Sequence, residues 1–273
     1  MAVILDGKTL ASRIRAKVKE RVAALPARPI LAVFLVGEDP ASRLYVDLKQ
    51  KACEEAGIAF ERLAYPADAS EDELVVKIGE LNARPDVTGI LVQLPLPSQD
   101  ADKIVAAIDP KKDVDGFHPK NLDALQSGKP GLVPAVALGI VKLIDEAHAP
   151  LRGRWAAIVS SPLFAKPIEA LLAELDVKTF VVNPDASDLA EKTKAADVLV
   201  VAAGRPGLVR ADAVKPGAIV IDVGTTKVDG KLLGDVDFAS VEPVAGFLTP
   251  VPGGVGPMTV AMLLNNVAKA ARS

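Results

Sequence analysis

The stretch that decides the fold runs from the apolar segment Ile30-Leu31-Ala32-Val33-Phe34-Leu35-Val36, through Gly37-Glu38-Asp39-Pro40, to the polar pair Tyr45 and Lys49. Seven consecutive apolar residues predict a buried strand, and the polar segment after it predicts a turn into a helix. Tyr45 and Lys49 are four residues apart, so they share one face of that helix and are expected to point together, away from its packed side. Open α/β sheets bind ligands beyond the carboxyl ends of their strands, so the pair is a candidate site. From the spacing alone, however, two polar side chains on a solvated helix surface are the favoured interpretation.

The same alternation of strand and helix continues along the chain, which predicts an α/β protein with a parallel sheet. The last four predicted strands form a second block with the size of a nucleotide-binding half-fold. In this block a helix is expected to open at Lys166-Pro167, because proline suits the first turn of a helix. Helices are predicted at 8–24, from the capping box at 70–73, at 100–107, 135–147, 166–175, 189–194 and 258–271, and strands at 30–36, 58–64, 87–93, 155–160, 177–182, 198–202 and 218–223.

Composition excludes several classes of site. The 273 residues suffice for one large domain or two ordinary ones. A single cysteine, Cys53, rules out an internal disulfide and is more typical of a small core residue than of a nucleophile. With two histidines and no Cys/His cluster at ligand spacing, no metal site is predicted.

Charge and hydropathy indicate where the protein works. The net charge is −3, and the basic residues are spread along the chain, which argues against a nucleic-acid partner. Aromatic residues make up only 4%, so base-stacking platforms are not expected. The first residues do not resemble a signal peptide, and no apolar run reaches membrane-spanning length. We therefore expect a soluble, cytoplasmic protein with no membrane partner.

Three further motifs have unusual composition. Gly89-Ile90-Leu91-Val92-Gln93-Leu94-Pro95-Leu96-Pro97 ends a predicted strand in a stiff, proline-rich loop. Lys112-Asp113-Val114-Asp115-Gly116-Phe117-His118-Pro119 places two carboxylates two residues apart in a polar loop. Residues 249–259 contain three glycines and three prolines, which require a special backbone path. Such a constrained loop before a terminal helix is typical of a ligand site or a domain junction.

Together with Asp222-Val223-Gly224 and Gly234-Asp235-Val236, these motifs resemble the bifunctional methylenetetrahydrofolate dehydrogenase/methenyltetrahydrofolate cyclohydrolase (FolD) family. They span nearly the whole chain in the family's order. The resemblance implies two α/β domains flanking a cleft, typically in a homodimer. The first, 1–134, is a folate-binding catalytic domain completed by the C-terminal helix returning within 253–273. The second, 135–252, is a Rossmann-like dinucleotide-binding domain.

The resemblance also implies two activities. The dehydrogenase oxidises 5,10-methylenetetrahydrofolate to 5,10-methenyltetrahydrofolate with NADP as the expected cofactor. The cyclohydrolase then adds water and opens the ring to give 10-formyltetrahydrofolate. Two alternatives stay open: a cyclohydrolase with weak or absent dehydrogenase activity, and a non-catalytic folate-binding protein. A generic Rossmann dehydrogenase is disfavoured, because no Gly-x-Gly-x-x-Gly follows the strand at 155–160.

Site residues follow from the resemblance, motif by motif. Lys49 is expected to act in acid/base catalysis, provided that its pKa is lowered, and the neutral Gln93 can hold its amine without raising that pKa. Tyr45 can stack on the folate, and Asp115 can accept hydrogen bonds from the pterin edge. For Asp113 and His118 structural roles are favoured. The implied catalytic residues are Lys49, Tyr45, Gln93 and Asp115; the implied substrate-binding residues are Tyr45, Leu94, Pro95, Asp115, Pro250, Gly253 and Gly254; the implied cofactor-binding residues are Ser160, Ser161, Gly204, Gly224 and Thr225.

The cofactor turn departs from the family pattern. The family usually has Gly-Arg-Ser where this chain has Val159-Ser160-Ser161, and a glycine where it has Ala165. A valine is expected to take up room where the backbone approaches phosphate. The lost arginine removes a bidentate contact with the 2′-phosphate of NADP, and Asp185 adds negative charge nearby. We therefore expect weakened NADP binding, with NAD, weakly held NADP or no coenzyme as the outcomes.

Overall fold

In the computed structural model, which describes residues Met1 to Arg272, the chain forms two compact α/β units. One contains Ser12–Ala135 and the chain from Val260 onward, and is called here the three-stranded unit after its sheet. The other contains Met1–Ala11 and Val136–Thr259, and is called the six-stranded unit. No helix among the described residues combines the length and the apolar composition needed to cross a membrane.

The first half of the chain alternates strands and helices, as the apolar periodicity predicts. The central strand has the predicted bounds, and most other ends agree within one or two residues. The elements are β1 (Val3–Ile4), α1 (Gly7–Ala23), β2 (Ile30–Val36), α2 (Pro40–Ala56), β3 (Ala59–Tyr65), α3 (Glu71–Ala83), β4 (Val87–Val92), α4 (Ala101–Ala106) and α5 (Pro119–Gln126).

The second half continues the pattern with shorter elements. A 3-10 turn at Ala211–Ala213 separates two of its strands. The elements are α6 (Ala135–Glu146), β5 (Trp155–Val159), α7 (Pro162–Ala173), β6 (Lys178–Val182), α8 (Leu189–Thr193), β7 (Val198–Val201), β8 (Ile219–Asp222), β9 (Thr226–Val228), β10 (Lys231–Leu233), α9 (Phe238–Val241), β11 (Phe247–Leu248) and α10 (Val255–Ala270).

The three-stranded unit is built on a parallel sheet in the order β3-β2-β4. Its core lies between the sheet and α3, where Phe34, Leu74, Ile78 and Ile90 are almost fully buried. The helix ends have local causes. Asp39 caps α2 by accepting from the Ser42 N–H at 2.7 Å. Parallel strand pairing, a packed apolar core and helix capping therefore account for the structure of this unit.

The six-stranded unit has an all-parallel sheet in the order β1-β11-β8-β7-β5-β6. Strand β5 pairs with β6 on one side and with β7 on the other. Because the chain changes direction across the sheet at β5, the carboxyl end of β5 is a topological switch point. This is where a doubly wound sheet binds its ligand.

Helix α7 corrects a prediction. It begins at Pro162 and not at Lys166, so Pro167 lies inside it. Ser161 is its N-cap, accepting from the Phe164 N–H at 3.4 Å, and Pro162 fills the first helical position. A proline at that position loses no helical hydrogen bond, whereas Pro167 does, and the latter is tolerated in the buried interior of the unit. The helix N-terminus is therefore directly beside the end of β5.

Several elements and boundaries differ from the prediction. Helix α5, the β9–β10 hairpin and the short strands β1 and β11 were not expected from the sequence. Residues 1–11 and 253–259 group with the six-stranded unit, not with the first domain as expected. The reason is backbone pairing: β1 is parallel to β11, and Lys8 N–H donates to the Gly253 carbonyl at 3.1 Å.

Candidate active site

Lys49 lies on the buried side of α2. Its side chain is only 8% exposed, and it follows Ser42 and Val46 along the packed face of the helix. The expectation that Tyr45 and Lys49 point away from the packed side is therefore wrong for Lys49, and so is the alternative of a solvated surface pair. Tyr45, one turn earlier, is half-buried. The helix thus carries an ammonium into a mostly apolar interior and leaves a phenol at its edge.

Gln93 meets Lys49 at the end of β4. The Lys49 Nζ donates to Gln93 Oε1 at 2.8 Å, and Gln93 Nε2 donates to the Leu94 carbonyl at 2.7 Å. The amide is thereby oriented with its oxygen toward the amine. The backbone of Gln93 continues the parallel pairing through a bond to the Phe34 carbonyl, so the strand fixes its position. Leu94 and Pro95 follow directly, joined by a cis peptide bond.

The loop that carries Asp115 is held against β4 and by its own buried carboxylate. Ile90 N–H donates to the Lys112 carbonyl at 2.8 Å, which extends the sheet into the loop. Asp113 is 1% exposed and accepts from the backbone N–H of Gly116 and of His118, and from the Asn121 side chain. Asp113 is therefore a structural residue that folds the loop around Asp115.

His118 is structural too. Its Nδ1 accepts from the Lys120 N–H at 3.0 Å and so caps α5, while Nε2 lies 3.2 Å from the Ala106 carbonyl oxygen. The first contact needs an acceptor and the second needs a donor, which assigns the proton to Nε2. Both ring nitrogens are satisfied, which leaves this histidine in the framework of the site.

The C-terminal helix secures the same loop. Asn266 on α10 is 1% exposed and donates from Nδ2 to the carbonyl oxygens of Val114 and Val133, at 2.9 and 2.8 Å. Val114 is the direct neighbour of Asp115. The predicted return of the C-terminal helix to the first domain is confirmed for the helix from Val260 onward.

Lys49 and Asp115 shift each other's pKa. Burial lowers the pKa of Lys49, and the nearby Asp115 carboxylate partly offsets that shift. Burial raises the pKa of Asp115, and the Lys49 ammonium partly offsets that one. Each group is thus moved toward neutrality by loss of water and back toward its charged form by the other. A lysine with a lowered pKa has more of its amine in the neutral, proton-accepting form than a free lysine at the same pH, which is what acid/base catalysis needs.

The other predicted substrate residues lie in the six-stranded unit. Pro250, Gly253 and Gly254 belong to the loop before α10, which contains a cis Val251–Pro252 bond. Gly253 has φ +117°, a conformation that favours glycine. Their assignment to the folate stays a prediction.

A cavity of about 690 Å³ opens at the carboxyl ends of β5, β6 and β7, at the switch point of the sheet. The predicted residues Ser160 and Ser161 both line it. The N-terminus of α7 borders it as well, so backbone N–H groups and the positive end of the helix dipole are available to an anion. Its lining residues include Ser160, Ser161, Phe164, Asn183, Pro184 and Ala203.

The valine in the cofactor turn does not obstruct this cavity. Val159 is fully buried and packs in the core with Ala157, Val182 and Val201. The expectation that its side chain takes up room at the phosphate position is therefore wrong, because the side chain points into the core. The hydroxyl of Ser160 is buried and donates to the Ser161 carbonyl at 3.0 Å. Neither residue replaces the positive charge that the family's arginine supplies.

Two buried carboxylates shape the loops beside the cavity. Asp235 accepts from the backbone N–H of Ala203, Gly204 and Arg205 at 2.6–2.9 Å. Asp222 accepts from the N–H of Gly224, Asp235 and Val236 at 2.9–3.0 Å. Burial raises the pKa of Asp222 to about 6.

The remaining predicted cofactor residues do not line the cavity. Gly204 belongs to the loop held by Asp235, with φ +66°. Gly224 and Thr225 follow β8 and do not line the cavity. Sequence reasoning missed Arg205, whose guanidinium is bound to residues 184 and 185 at the end of β6. A lone arginine after a predicted strand carries no sequence signal that would have identified it.

Comparisons with known proteins bear on both units. The model of the tetrahydrofolate dehydrogenase/cyclohydrolase catalytic domain matches residues 5–115, and that of the family's NAD(P)-binding domain matches residues 134–273. The chain is 51% identical to the bifunctional protein FolD of Bordetella avium, over 99% of this chain and 97% of that protein.

Solved structures give the same picture. One neighbour is the bifunctional FolD enzyme of Campylobacter jejuni, with a TM-score of 0.96, 42% identity, and coverage of 100% of this chain and 99% of that one. Another is the Trypanosoma brucei methylenetetrahydrofolate dehydrogenase-cyclohydrolase in complex with NADP and an inhibitor. It has a TM-score of 0.94 and 36% identity, and the match covers 99% of this chain and 97% of that one.

Proposed function

The chain belongs to the tetrahydrofolate dehydrogenase/cyclohydrolase family, and on that premise we propose that it interconverts one-carbon units on tetrahydrofolate with the residues around Lys49. It oxidises 5,10-methylenetetrahydrofolate to the 5,10-methenyl cation with a nicotinamide coenzyme. It then hydrolyses that cation to 10-formyltetrahydrofolate.

The observation that carries the catalytic assignment is the Lys49–Gln93 contact. A buried lysine paired with a carboxylate would keep its proton, whereas the amide oxygen of Gln93, 2.8 Å from Nζ, adds no full negative charge. Burial therefore lowers the pKa of Lys49. The cationic methenyl substrate would lower it further by charge repulsion.

In the hydrolysis, the neutral Lys49 amine takes a proton from the attacking water as the water oxygen bonds to the bridging carbon. The hydroxyl group of the tetrahedral adduct then loses its proton to solvent as its C–O bond becomes the formyl C=O. The bond from that carbon to N5 breaks at the same time and N5 takes up a proton, so that the formyl group remains on N10 and the net reaction releases one proton. Lys49 can accept the proton of the attacking water and deliver the one that N5 takes up. Gln93 holds the amine in position through both steps.

Tyr45 and Asp115 would orient the substrate. The half-buried phenol ring of Tyr45 stands one turn from Lys49 and offers a flat surface for the folate. The Asp115 carboxylate can accept hydrogen bonds from the donor-rich edge of the pterin. Leu94 and Pro95, both exposed beside Gln93, offer apolar contact.

The six-stranded unit would hold the coenzyme in the cavity at its switch point. The residues present fit a dinucleotide, because small side chains and the α7 N-terminus surround a space of about 690 Å³. A bound nicotinamide coenzyme would supply the acceptor for the hydride that leaves the methylene bridge. Ser161 and the backbone of the 203–205 loop would contact it.

The resemblance to the family supports two further proposals. The protein works as a homodimer in the cytoplasm. Light scattering of the purified protein at several concentrations tests the first, and a single species of twice the chain mass is expected. Cell fractionation tests the second.

The hydrolysis is tested by following the loss of methenyltetrahydrofolate absorbance in the absence of coenzyme. Lys49→Met keeps the length of the side chain and removes its amine, so we expect turnover to fall about 10²- to 10⁴-fold. Lys51→Met is the matched control, because Lys51 lies on the same helix and is exposed. Unchanged turnover in Lys49→Met would overturn the assignment and favour a folate-binding protein without catalysis.

A further inference from the structure

We propose that Asp185, held by Asn183 and Arg205, binds the hydroxyls of the coenzyme's adenosine ribose and makes this enzyme select NAD over NADP. This inference rests on the proposed function, since it concerns the coenzyme of the same dehydrogenase step. It assigns a specificity role to an ion pair outside the family motifs found in the sequence.

Asp185 follows the strand at whose end a doubly wound fold binds the adenosine ribose of its coenzyme. It comes three residues after the end of β6, the strand next to β5 and the second of the nucleotide-binding half. In such folds an acidic residue after this strand accepts hydrogen bonds from the ribose hydroxyls of NAD, whereas an arginine nearby accommodates the 2′-phosphate of NADP. The neighbouring Asn183 and Pro184 line the cavity, and Asp185 follows them directly in the chain with an exposed side chain.

Asp185 is held at its backbone by Asn183 and at its carboxylate by Arg205. The Asp185 N–H donates to Asn183 Oδ1 at 2.9 Å, a local turn that sets the backbone. Arg205 Nη2 donates to Asp185 Oδ1 at 2.5 Å, and Arg205 Nη1 donates to the Pro184 carbonyl at 3.3 Å. A carboxylate offers about four acceptor positions, so one contact with arginine leaves room for two ribose hydroxyls.

The backbone of Arg205 is held in turn by the buried carboxylate of Asp235. Its backbone N–H donates to Asp235 Oδ1 at 2.7 Å, and the same buried carboxylate binds the two residues before it. The arginine therefore approaches the end of β6 from a loop of fixed conformation. Such a pair needs little rearrangement to bind ribose, which favours affinity.

The same arrangement disfavours a 2′-phosphate. Arg205 is already bonded to a carboxylate and to a carbonyl, and its charge is balanced by Asp185. A phosphate dianion would have to displace that carboxylate or lie beside it, and like charges in contact are costly. The turn after β5 offers no compensating cation, because a buried serine, Ser160, stands there. Lys166 lies on α7 with an exposed side chain, beyond the residues that line the cavity.

The test compares kcat/KM for NAD and for NADP in the dehydrogenase assay, with methylenetetrahydrofolate at saturation. For the full-length wild-type protein we expect NAD to be favoured about tenfold or more. Asp185→Asn keeps the shape, removes the repelling charge and frees Arg205 for the phosphate. The NAD-to-NADP ratio should therefore fall about tenfold or more, chiefly through KM for NADP. Circular dichroism and Tm verify that the variant is folded.

Asp188→Asn is the matched control. Asp188 lies three residues further on, is exposed and pairs with Lys192, so its removal changes net charge equally. The coenzyme ratio should stay at the wild-type value in this variant. An equal fall in both variants would show a general charge effect and overturn the role of Asp185.

Failure of this inference is distinguishable from failure of the proposed function. An active wild-type dehydrogenase that prefers NADP, or a folded Asp185→Asn with an unchanged ratio, overturns the NAD selection and leaves the folate chemistry intact. A wild-type protein with cyclohydrolase turnover but no turnover with either coenzyme overturns both the selection and the dehydrogenase half. A protein without either turnover overturns the proposed function as a whole.

Discussion

The Nζ atom of Lys49 donates a hydrogen bond of 2.8 Å to Gln93 Oε1, so the buried cation of this site is paired with a neutral amide. The choice of partner matters because burial lowers the pKa of Lys49, and the separate carboxylate of Asp115 is the largest of the effects that raise it. The sequence thus combines an apolar helix face, a neutral hydrogen-bond partner and one more distant charge. Together these three set the protonation of the amine.

Gln93→Glu should slow the cyclohydrolase at neutral pH. A carboxylate in contact with the ammonium favours its charged form and raises the pKa of Lys49, so less neutral amine is available to accept a proton. We expect the rising limb of the pH–rate profile to move to higher pH and turnover at pH 7 to fall by about tenfold or more. The measurement is the methenyltetrahydrofolate hydrolysis rate across pH.

The control for this variant is Gln50→Glu. Gln50 is adjacent to Lys49 in sequence but contacts Arg62 and Glu54 on the outer side of α2. It adds the same charge without contacting the amine, so its profile should resemble that of the wild type. A Gln93→Glu profile at the wild-type position would contradict the electrostatic role of the amide.

Asp115→Asn should move the rising limb of the pH–rate profile in the opposite direction to Gln93→Glu, toward lower pH. The Asp115 carboxylate raises the pKa of Lys49, so its removal leaves burial less opposed and lowers that pKa further. The rising limb should shift to lower pH, while KM for the folate rises because an acceptor for the pterin edge is lost. Rates and KM measured together separate the two effects. A shift to higher pH would exclude the proposed coupling.

Much of the fold could be predicted because strong local signals agree with the tertiary structure. The run at 30–36 is wholly apolar and became β2 with the predicted bounds. The helix at 162–173 was misplaced because two competing prolines both suit a first turn, and the serine cap at Ser161 decided between them. The hairpin was missed although Asp229-Gly230, both with positive φ, is a strong turn signal.

The site was less predictable, because burial depends on what packs against each face. Spacing placed Lys49 on a helix but could not tell its packed face from its solvated face. Val159 looked obstructive in a motif comparison, yet its side chain points into the core. The Arg205–Asp185 pair joins residues 20 positions apart, and only the fold brings them together.

Gly89→Ala should damage the site without touching a polar group. An added Cβ at Gly89 would lie 2.6 Å from Val114 Cγ1, so the residue next to Asp115 would have to move. We expect a loss of stability of about 1–3 kcal/mol and slower hydrolysis. Gly79→Ala is the control, because no atom lies within 4 Å of its added Cβ on α3 and alanine favours helix. The test is denaturant unfolding and hydrolysis turnover of both variants. Equal free energies of unfolding for Gly89→Ala and Gly79→Ala would contradict the packing argument.

Asp222 gives the six-stranded unit a pH-dependent stability of defined sign. Burial raises its pKa from 3.8 to about 6, so between these values the folded protein holds the extra proton. The free energy of unfolding contributed by this group therefore falls as pH rises from about 4 to about 6, and is constant above that. Asp222→Asn does not titrate, but it turns an amide toward one of the three N–H groups that the carboxylate satisfies. The variant should be less stable than the wild type at pH 4, by about 1–3 kcal/mol.

The difference in unfolding free energy between Asp222→Asn and the wild type should then narrow toward pH 7, by up to about 3 kcal/mol. The wild type loses stability over this range because its Asp222 gives up its proton, whereas the asparagine does not titrate. Denaturant unfolding at pH 4, 5, 6 and 7 measures the gap. Asp212→Asn is the control, since Asp212 is exposed in the same unit and its gap should stay flat. A gap for Asp222→Asn that stays constant or widens with pH would mean that the buried carboxylate is already charged at pH 4, held in that form by its three backbone donors.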